Sequence, residues 1–218
     1  MITFDNVSKC YPVKGGRRTI LKPFTGVFET GARIGIVGRN GAGKSTLMRL
    51  LSGAEKPDTG HITRYGRVSW PLGFSGGLHR ALTGRENIRF VSRIYGVPFK
   101  EIYPAVENFA DLGSYMDEQI RVYSSGMKAR LAFGISMALE FDCYLIDEVI
   151  AVGDAKFKRR CAEIFEERRK YASLILVSHS DNLLKRFCDI GGVLHNGHLQ
   201  FYQDLDETLR VYQDIIEQ

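Results

Sequence analysis

Residues 38 to 46 read GRNGAGKST, that is Gly38, Arg39, Asn40, Gly41, Ala42, Gly43, Lys44, Ser45 and Thr46. The run satisfies G-x-x-x-x-G-K-[ST], follows the short apolar stretch RIGIV and opens a stretch with helical character. Glycines at these positions let the backbone curl so that successive N–H groups point inward. The helix N-terminus adds partial positive charge, and Lys44 can reach terminal phosphates. Ser45 then offers a hydroxyl to Mg²⁺. An ordinary glycine turn with a surface lysine uses the same letters, but the strand before it and the helix after it favour a triphosphate site.

Such a site needs an acidic partner for the metal and a group that aims water at the γ-phosphate. CYLIDE supplies both at the end of an apolar strand: Asp147 to hold Mg²⁺, directly or through water, and Glu148 as general base or water-orienting residue. Two adjacent carboxylates can also be plain surface charge, and their value here lies in completing the phosphate loop. LILVSH ends a second apolar strand at His179, where a neutral imidazole is placed to hydrogen-bond the γ-phosphate or the attacking water. A lone histidine at a strand end is more often structural, so the residue alone leaves both readings open.

The elements that must position these groups follow from pattern. Residues 1 to 37 read as strands, with RIGIV at 33–37 apolar like a buried parallel strand. A helix starts near Lys44 and stops at Gly53. KPDTGHITRYGRVSW is rich in turn residues and suits strands. Helical character dominates from Thr83 to Glu140, and Thr83 with Glu86 three residues on has the form of a capping box. Beyond it CYLID reads as a strand, DAKFKRRCAEIFEERRKY as a helix and SLILVSH as a strand, which implies a parallel sheet covered by helices. VLHNGHLQF sets Asn-Gly between alternating apolar residues and predicts a hairpin. Leu205, Leu209, Tyr212 and Ile216 form a packing stripe on a last helix, and Ile88, Val91 and Tyr95 share a helical face that is either core or docking surface.

Composition narrows the function classes. The 218 residues, 44% hydrophobic, suit one domain with a modest insertion. Cys10, Cys143, Cys161 and Cys188 form no C-x-x-C pair, and Cys143 lies in an apolar run, so reduced thiols are expected. No leader is expected in ITFDNV, and the longest apolar windows fall short of the roughly 20 residues that span a bilayer. A net charge of +5 tolerates polyanions or an anionic membrane surface, but a mildly basic solvated surface accounts for it.

Taken together, the phosphate loop, the DE pair and His179 resemble the ABC-type ATPases. The resemblance implies an α/β P-loop NTPase with a mostly parallel core sheet, an N-terminal antiparallel β region and a helical subdomain. Residues 1–218 would form one nucleotide-binding domain, with 1–83 and 141–218 as the ATP-binding core and 84–140 as the helical subdomain. It also implies a role for YSSGM, which opens a helix with Ser124, Ser125 and Gly126. This is similar to the family signature Leu-Ser-Gly-Gly-Gln, matching at Ser124 and Gly126 and departing at Tyr123, Ser125 and Met127. In the family this motif caps ATP held by the opposite subunit, so an ATP-dependent homodimer is expected. A serine-led helix start is a plausible anion site on physical grounds, though Ser124 as a plain N-cap is locally adequate.

Further matches cover most of the chain. Tyr11 in VSKCYP stands where the family stacks an aromatic ring on adenine, although a strand tyrosine can simply pack. Asp154 falls seven residues after Asp147, as in the loop that bridges the family's dimer, and could equally cap the following helix. Val149 replaces the usual proline. The glutamine that relatives carry between Trp70 and Thr83 is missing, since no Gln precedes Gln119; glycine flexibility or water must substitute.

YSSGM, DEVIAVGD and LTGREN together resemble the branch that exports lipid-linked cell-surface polysaccharides, and SWPLGFSGG resembles its capsule-export members. The implied protein is an ATPase with ATP and Mg²⁺ as cofactors, peripheral on the cytoplasmic face of the inner membrane. A separate permease would handle the polysaccharide, and no nucleic acid is expected. O-antigen or teichoic acid export is the alternative substrate class. A soluble ABC-type ATPase acting on nucleic acid or ribosomes is the alternative from another class; its usual tandem ATPase domains or long coiled-coil insertion have no counterpart here.

Overall fold

The computed structural model describes residues 1–72, 77–147 and 155–217. They divide into two compact units: residues 1–71, 141–147 and 166–217 form the first, and residues 72, 77–140 and 155–165 the second.

In the first unit β1 (Ile2–Val13) and β2 (Gly16–Phe28) run antiparallel, with Ile2 opposite Phe28 and Tyr11 opposite Arg18. β3 (Arg33–Val37) then delivers the chain to the glycine-rich loop, and α1 (Lys44–Ser52) follows it. Four of the five β3 residues are buried, Ile34 to Val37, as a strand covered on both faces requires. α1 ends where the sequence predicts, because Gly53 takes the left-handed conformation and donates its N–H to the Leu50 carbonyl. β4 (Thr59–Arg64) joins the first sheet, in order β2-β1-β4.

Arg64 fastens that sheet to the helix. Its guanidinium donates to the Leu51 carbonyl at 2.6 Å, to the Leu50 carbonyl, and to the Ile62 carbonyl at 3.3 Å. A cation thus adds to the Gly53 cap at the C-terminal end of α1, where the helix dipole favours positive charge. Burial pulls the Arg64 pKa below its ordinary value. Arg64→Met should lower unfolding stability by about 2 kcal/mol, the scale of a lost hydrogen bond to a charged group, read as a shifted urea midpoint at unchanged slope. An unshifted midpoint would contradict this role.

The second unit holds α2 (Gly84–Tyr95), α3 (Phe99–Ala110), two short 3₁₀ turns at Gly113–Asp117 and Ile120–Val122, and α4 (Ser125–Ala138). The predicted capping box is present: Thr83 Oγ1 accepts from Glu86 N, and Glu86 accepts from Thr83 N at 2.8 Å. Past its first turn α4 is buried almost continuously, from Leu131 to Met137, which leaves it no polar face. Ile88 is fully buried, whereas Phe90 and Ile94 on another side of α2 are exposed. The Ile88 face is therefore core.

β5 (Cys143–Ile146) returns to the first unit, and α5 (Ala155–Arg168) begins in the second and ends in the first. Within the second unit Phe109, Phe133, Phe157 and Phe165 pack ring on ring, with centroids 5.2 to 5.8 Å apart. β6 (Ser173–Val177), α6 (Asp181–Phe187), β7 (Ile190–His195), β8 (His198–Tyr202) and α7 (Leu205–Glu217) complete the chain. The Asn196–Gly197 turn between β7 and β8 has both residues at positive φ, as the hairpin requires.

The second sheet runs β5-β6-β3-β7-β8, the first four strands parallel and β8 antiparallel. One cluster of buried side chains joins Phe4 and Phe28 of the first sheet, Leu47, Met48, Leu50 and Leu51 of α1, and Ile36, Leu145, Ile175 and Val177 of the second. The fold is thus α/β with a mostly parallel core sheet and an N-terminal antiparallel region. Burial pushes the Cys143 and Cys188 thiols up to about 12, so both behave as small apolar groups. No helix among the described residues is long and apolar enough to cross a membrane.

Candidate nucleotide-binding site

β5, β6 and β3 are neighbours and parallel, so their C-terminal ends lie along one edge of the sheet. That edge is where an open α/β sheet binds its ligand. β3 ends at the phosphate loop, β5 one residue before Asp147 and β6 two residues before His179. Residues far apart in the chain meet there because parallel strands present all their C-terminal loops on the same side.

A cavity of about 310 Å³ opens at this edge. Lys44, Ser45 and Thr46 line it together with Asp147 and His179, and Asn40, Gly41 and Gly43 supply its backbone wall. Gly43 sits at φ 111°, and a side chain there would place its Cβ 2.3 Å from Ile20 Cγ2. At Gly38 a Cβ would lie 2.5 Å from the Leu194 carbonyl oxygen. Gly43 is thus required on conformation and on space, and Gly38 on space alone.

The start of α1 differs from that of its neighbours. Thr83, Ser124 and Ser180 cap α2, α4 and α6 with side-chain oxygens, whereas Gly43 offers α1 no side-chain cap and its first turn holds no acidic residue. The leading N–H groups of α1 therefore have no side-chain acceptor built in, which suits an anion site. Lys44 Nζ donates to the Gly38 carbonyl at 2.5 Å and the Arg39 carbonyl at 3.2 Å. It spans the loop that it is expected to share with phosphate.

Ser45 and Asp147 in one cavity offer a hydroxyl and a carboxylate, two hard oxygen donors. This set suits Mg²⁺, which takes few protein ligands and leaves the rest of its octahedron to water and phosphate.

Tyr11 does not line the cavity. Its hydroxyl donates to the Glu55 carboxylate at 2.6 Å and accepts from Arg49 Nη2 at 3.1 Å, which fixes the edge of the ring. Burial works to raise Glu55, but the Tyr11 hydroxyl, Arg49 and Lys9 prevail and hold the carboxyl below its ordinary value. Alongside, the Cys10 thiol and backbone N–H, with Lys9, hold Asp58 down to about 2.

Ser124 and Ser125 are exposed at the head of α4 in the second unit, and Ser124 Oγ accepts from Met127 N at 3.2 Å. Nothing but Ser124 Oγ, at 3.9 Å, would meet a Cβ at Gly126. Glu148 and Asp154, and most of the glycine-rich stretch where relatives carry glutamine, lie outside the described residues.

Two lining residues carry no motif in the sequence, Arg18 and Ile20 of β2. Only the strand register brings them to the phosphate loop.

The family model described as ABC transporter matches residues 21–151. The capsule polysaccharide export ATP-binding protein CtrD of Neisseria meningitidis serogroup B is 50% identical over 99% of this chain and 100% of its own length. The polysialic acid transport ATP-binding protein KpsT of Escherichia coli is 46% identical over 97% of this chain and 98% of its own. Among solved structures, a dimeric ATP-binding cassette in a post-hydrolysis state with ADP and Pi superposes with a TM-score of 0.79 at 18% identity. That match covers 93% of this chain and 98% of the other. On the family match and on full-length relatives at this identity, the chain belongs to the ABC transporter family, as an ATP-binding subunit.

Proposed function

We propose that this chain is the ATP-hydrolysing subunit of an exporter of capsular polysaccharide. The observation that carries the reading is the single cavity shared by Lys44, Ser45, Asp147 and His179 at the C-terminal edge of the parallel sheet. Its substrate class is supported by full-length relatives named for capsule polysaccharide export and polysialic acid transport. The alternatives, O-antigen or teichoic acid, would use the same ATPase chemistry.

The chain's own groups have distinct tasks. Loop N–H groups from Gly41 to Thr46 bind phosphate oxygens, and Lys44 exchanges its loop carbonyls for the terminal phosphates. Mg²⁺, held by Ser45 and Asp147, would neutralise phosphate charge when bound. Glu148 takes a proton from water as its oxygen attacks the γ-phosphorus. The bond to the bridging oxygen breaks, leaving ADP and phosphate. His179 orients that water or the γ-phosphate by hydrogen bonding. Ser124, with the amides of Ser125 and Gly126, caps the nucleotide of a second copy, Asp154 bridges the two chains, and Tyr11 stacks on adenine.

The division into a core of residues 1–83 and 141–218 and a helical subdomain of 84–140 is part of this reading. The subdomain docks on a separate permease at the cytoplasmic face of the inner membrane. Tighter ATP binding in the closed dimer drives the permease between its states.

Deleting the gene and typing the surface glycans tests the substrate. The expected result is loss of capsule, restored by the wild-type gene. Intact capsule with loss of O-antigen or teichoic acid would move the chain to that class. Co-purification with RNA in place of a membrane protein would remove it from transport.

A further inference from the structure

Arg18 is the cation in the cavity that no motif accounts for. Its Nη2 donates to the Gly41 carbonyl at 3.0 Å, in the middle of the phosphate loop. Among the described residues no carboxylate lies within ion-pairing distance of its guanidinium, and the Asp147 carboxylate shares the cavity without pairing to it. Arg18 also lines a second cavity of about 490 Å³ against the same loop, where Arg39 and His195 are its companions and no carboxylate contributes to the lining. The charge on this side of the loop is positive.

Register places Arg18 more closely. It is the direct cross-strand partner of Tyr11, so the two side chains leave the same face of the β1–β2 ribbon as neighbours about 5 Å apart at Cβ. Arg18 therefore stands between the tyrosine assigned to the base and the loop assigned to the phosphates. Its present contact parallels that of Lys44: each cation rests on neutral carbonyls of the loop. A phosphate oxygen is a stronger acceptor than a carbonyl, roughly twofold in hydrogen-bond strength. A phosphate chain entering the cavity would draw both cations off the carbonyls.

We propose that Arg18 is a nucleotide-binding residue whose guanidinium turns from the Gly41 carbonyl to the phosphate chain of the bound nucleotide. The proposal rests on the nucleotide reading of the site and adds a cation to it. A planar, permanently charged fork suits phosphate, and in this exposed place its gain depends on salt.

The test compares wild type with Arg18→Ala, Arg18→Lys, Arg18→Gln and Lys44→Ala in titrations with MgATP, MgADP and adenosine at low and high salt. Arg18→Ala should bind MgATP about tenfold more weakly, the equivalent of one hydrogen bond to a charged group. The loss should shrink at high salt, and adenosine should bind as to wild type. Arg18→Lys should keep most of the affinity, and Arg18→Gln should behave as the alanine variant. Unchanged MgATP affinity in Arg18→Ala, with Lys44→Ala defective, would overturn the proposal while leaving the site intact. So would full affinity in Arg18→Gln, since a neutral donor can hold the Gly41 carbonyl but not attract phosphate, or equal losses for MgATP and adenosine. A wild-type chain that binds no MgATP would overturn the nucleotide reading itself, and this proposal with it.

Discussion

Lys44→Ala should weaken ATP binding at least about a hundredfold, because an ammonium that contacts two phosphate oxygens contributes roughly 3 kcal/mol at about 1.5 kcal/mol per charge-assisted bond. The variant also leaves the Gly38 and Arg39 carbonyls without the lysine that now holds them. Arg39 is exposed on a cavity wall where water can replace the ammonium, whereas Gly38 is buried, so the variant should fold with some loss of stability. Equilibrium titration with a non-hydrolysable ATP analogue, alongside a melting curve, separates the two effects. Wild-type affinity in a folded variant would refute the phosphate-loop assignment.

The second large effect is expected at Glu148. Glu148→Gln keeps the size and hydrogen-bonding capacity of the side chain and removes its ability to accept a proton. Turnover should fall by about two to four orders of magnitude, the usual range for a lost general base. ATP binding should persist, since the loop amides, Lys44, Ser45 and Asp147 are untouched. The variant should then accumulate as an ATP-bound dimer, visible by light scattering after gel filtration. An undiminished phosphate-release rate would take Glu148 out of the catalytic role.

Much of the site was legible in the sequence because its parts are local. GRNGAGKST combines loop and helix start in one run, and it follows β3 directly and ends in the first turn of α1. Thr83 with Glu86, Gly53 and Asn196–Gly197 were readable for the same reason: a cap or turn is decided by residues within a few positions of it. Asp147 and His179 needed one further step, the rule that parallel strands expose their C-terminal ends together.

What the sequence did not disclose is non-local. Arg18 and Ile20 reach the cavity only through the β1–β2 register and the seating of β2 beside the loop, and no short pattern encodes that. The anchoring of Tyr11 by Glu55 and Arg49 depends on the turn after α1 passing close to β1. Nor could periodicity decide the outward face of α2. Ile88, Val91 and Tyr95 make an apolar stripe by spacing, yet the exposed apolar residues are Phe90 and Ile94, because Ile88 is taken into the core of the second unit.

The most direct test of the account is the structure of the Glu148→Gln protein bound to ATP. Two copies should enclose two nucleotides, each γ-phosphate lying between Lys44 of one chain and Ser124 at the helix tip of the other. A monomer that holds ATP with Ser124 open to solvent, or a dimer whose Ser124 hydroxyls touch no phosphate, would contradict it.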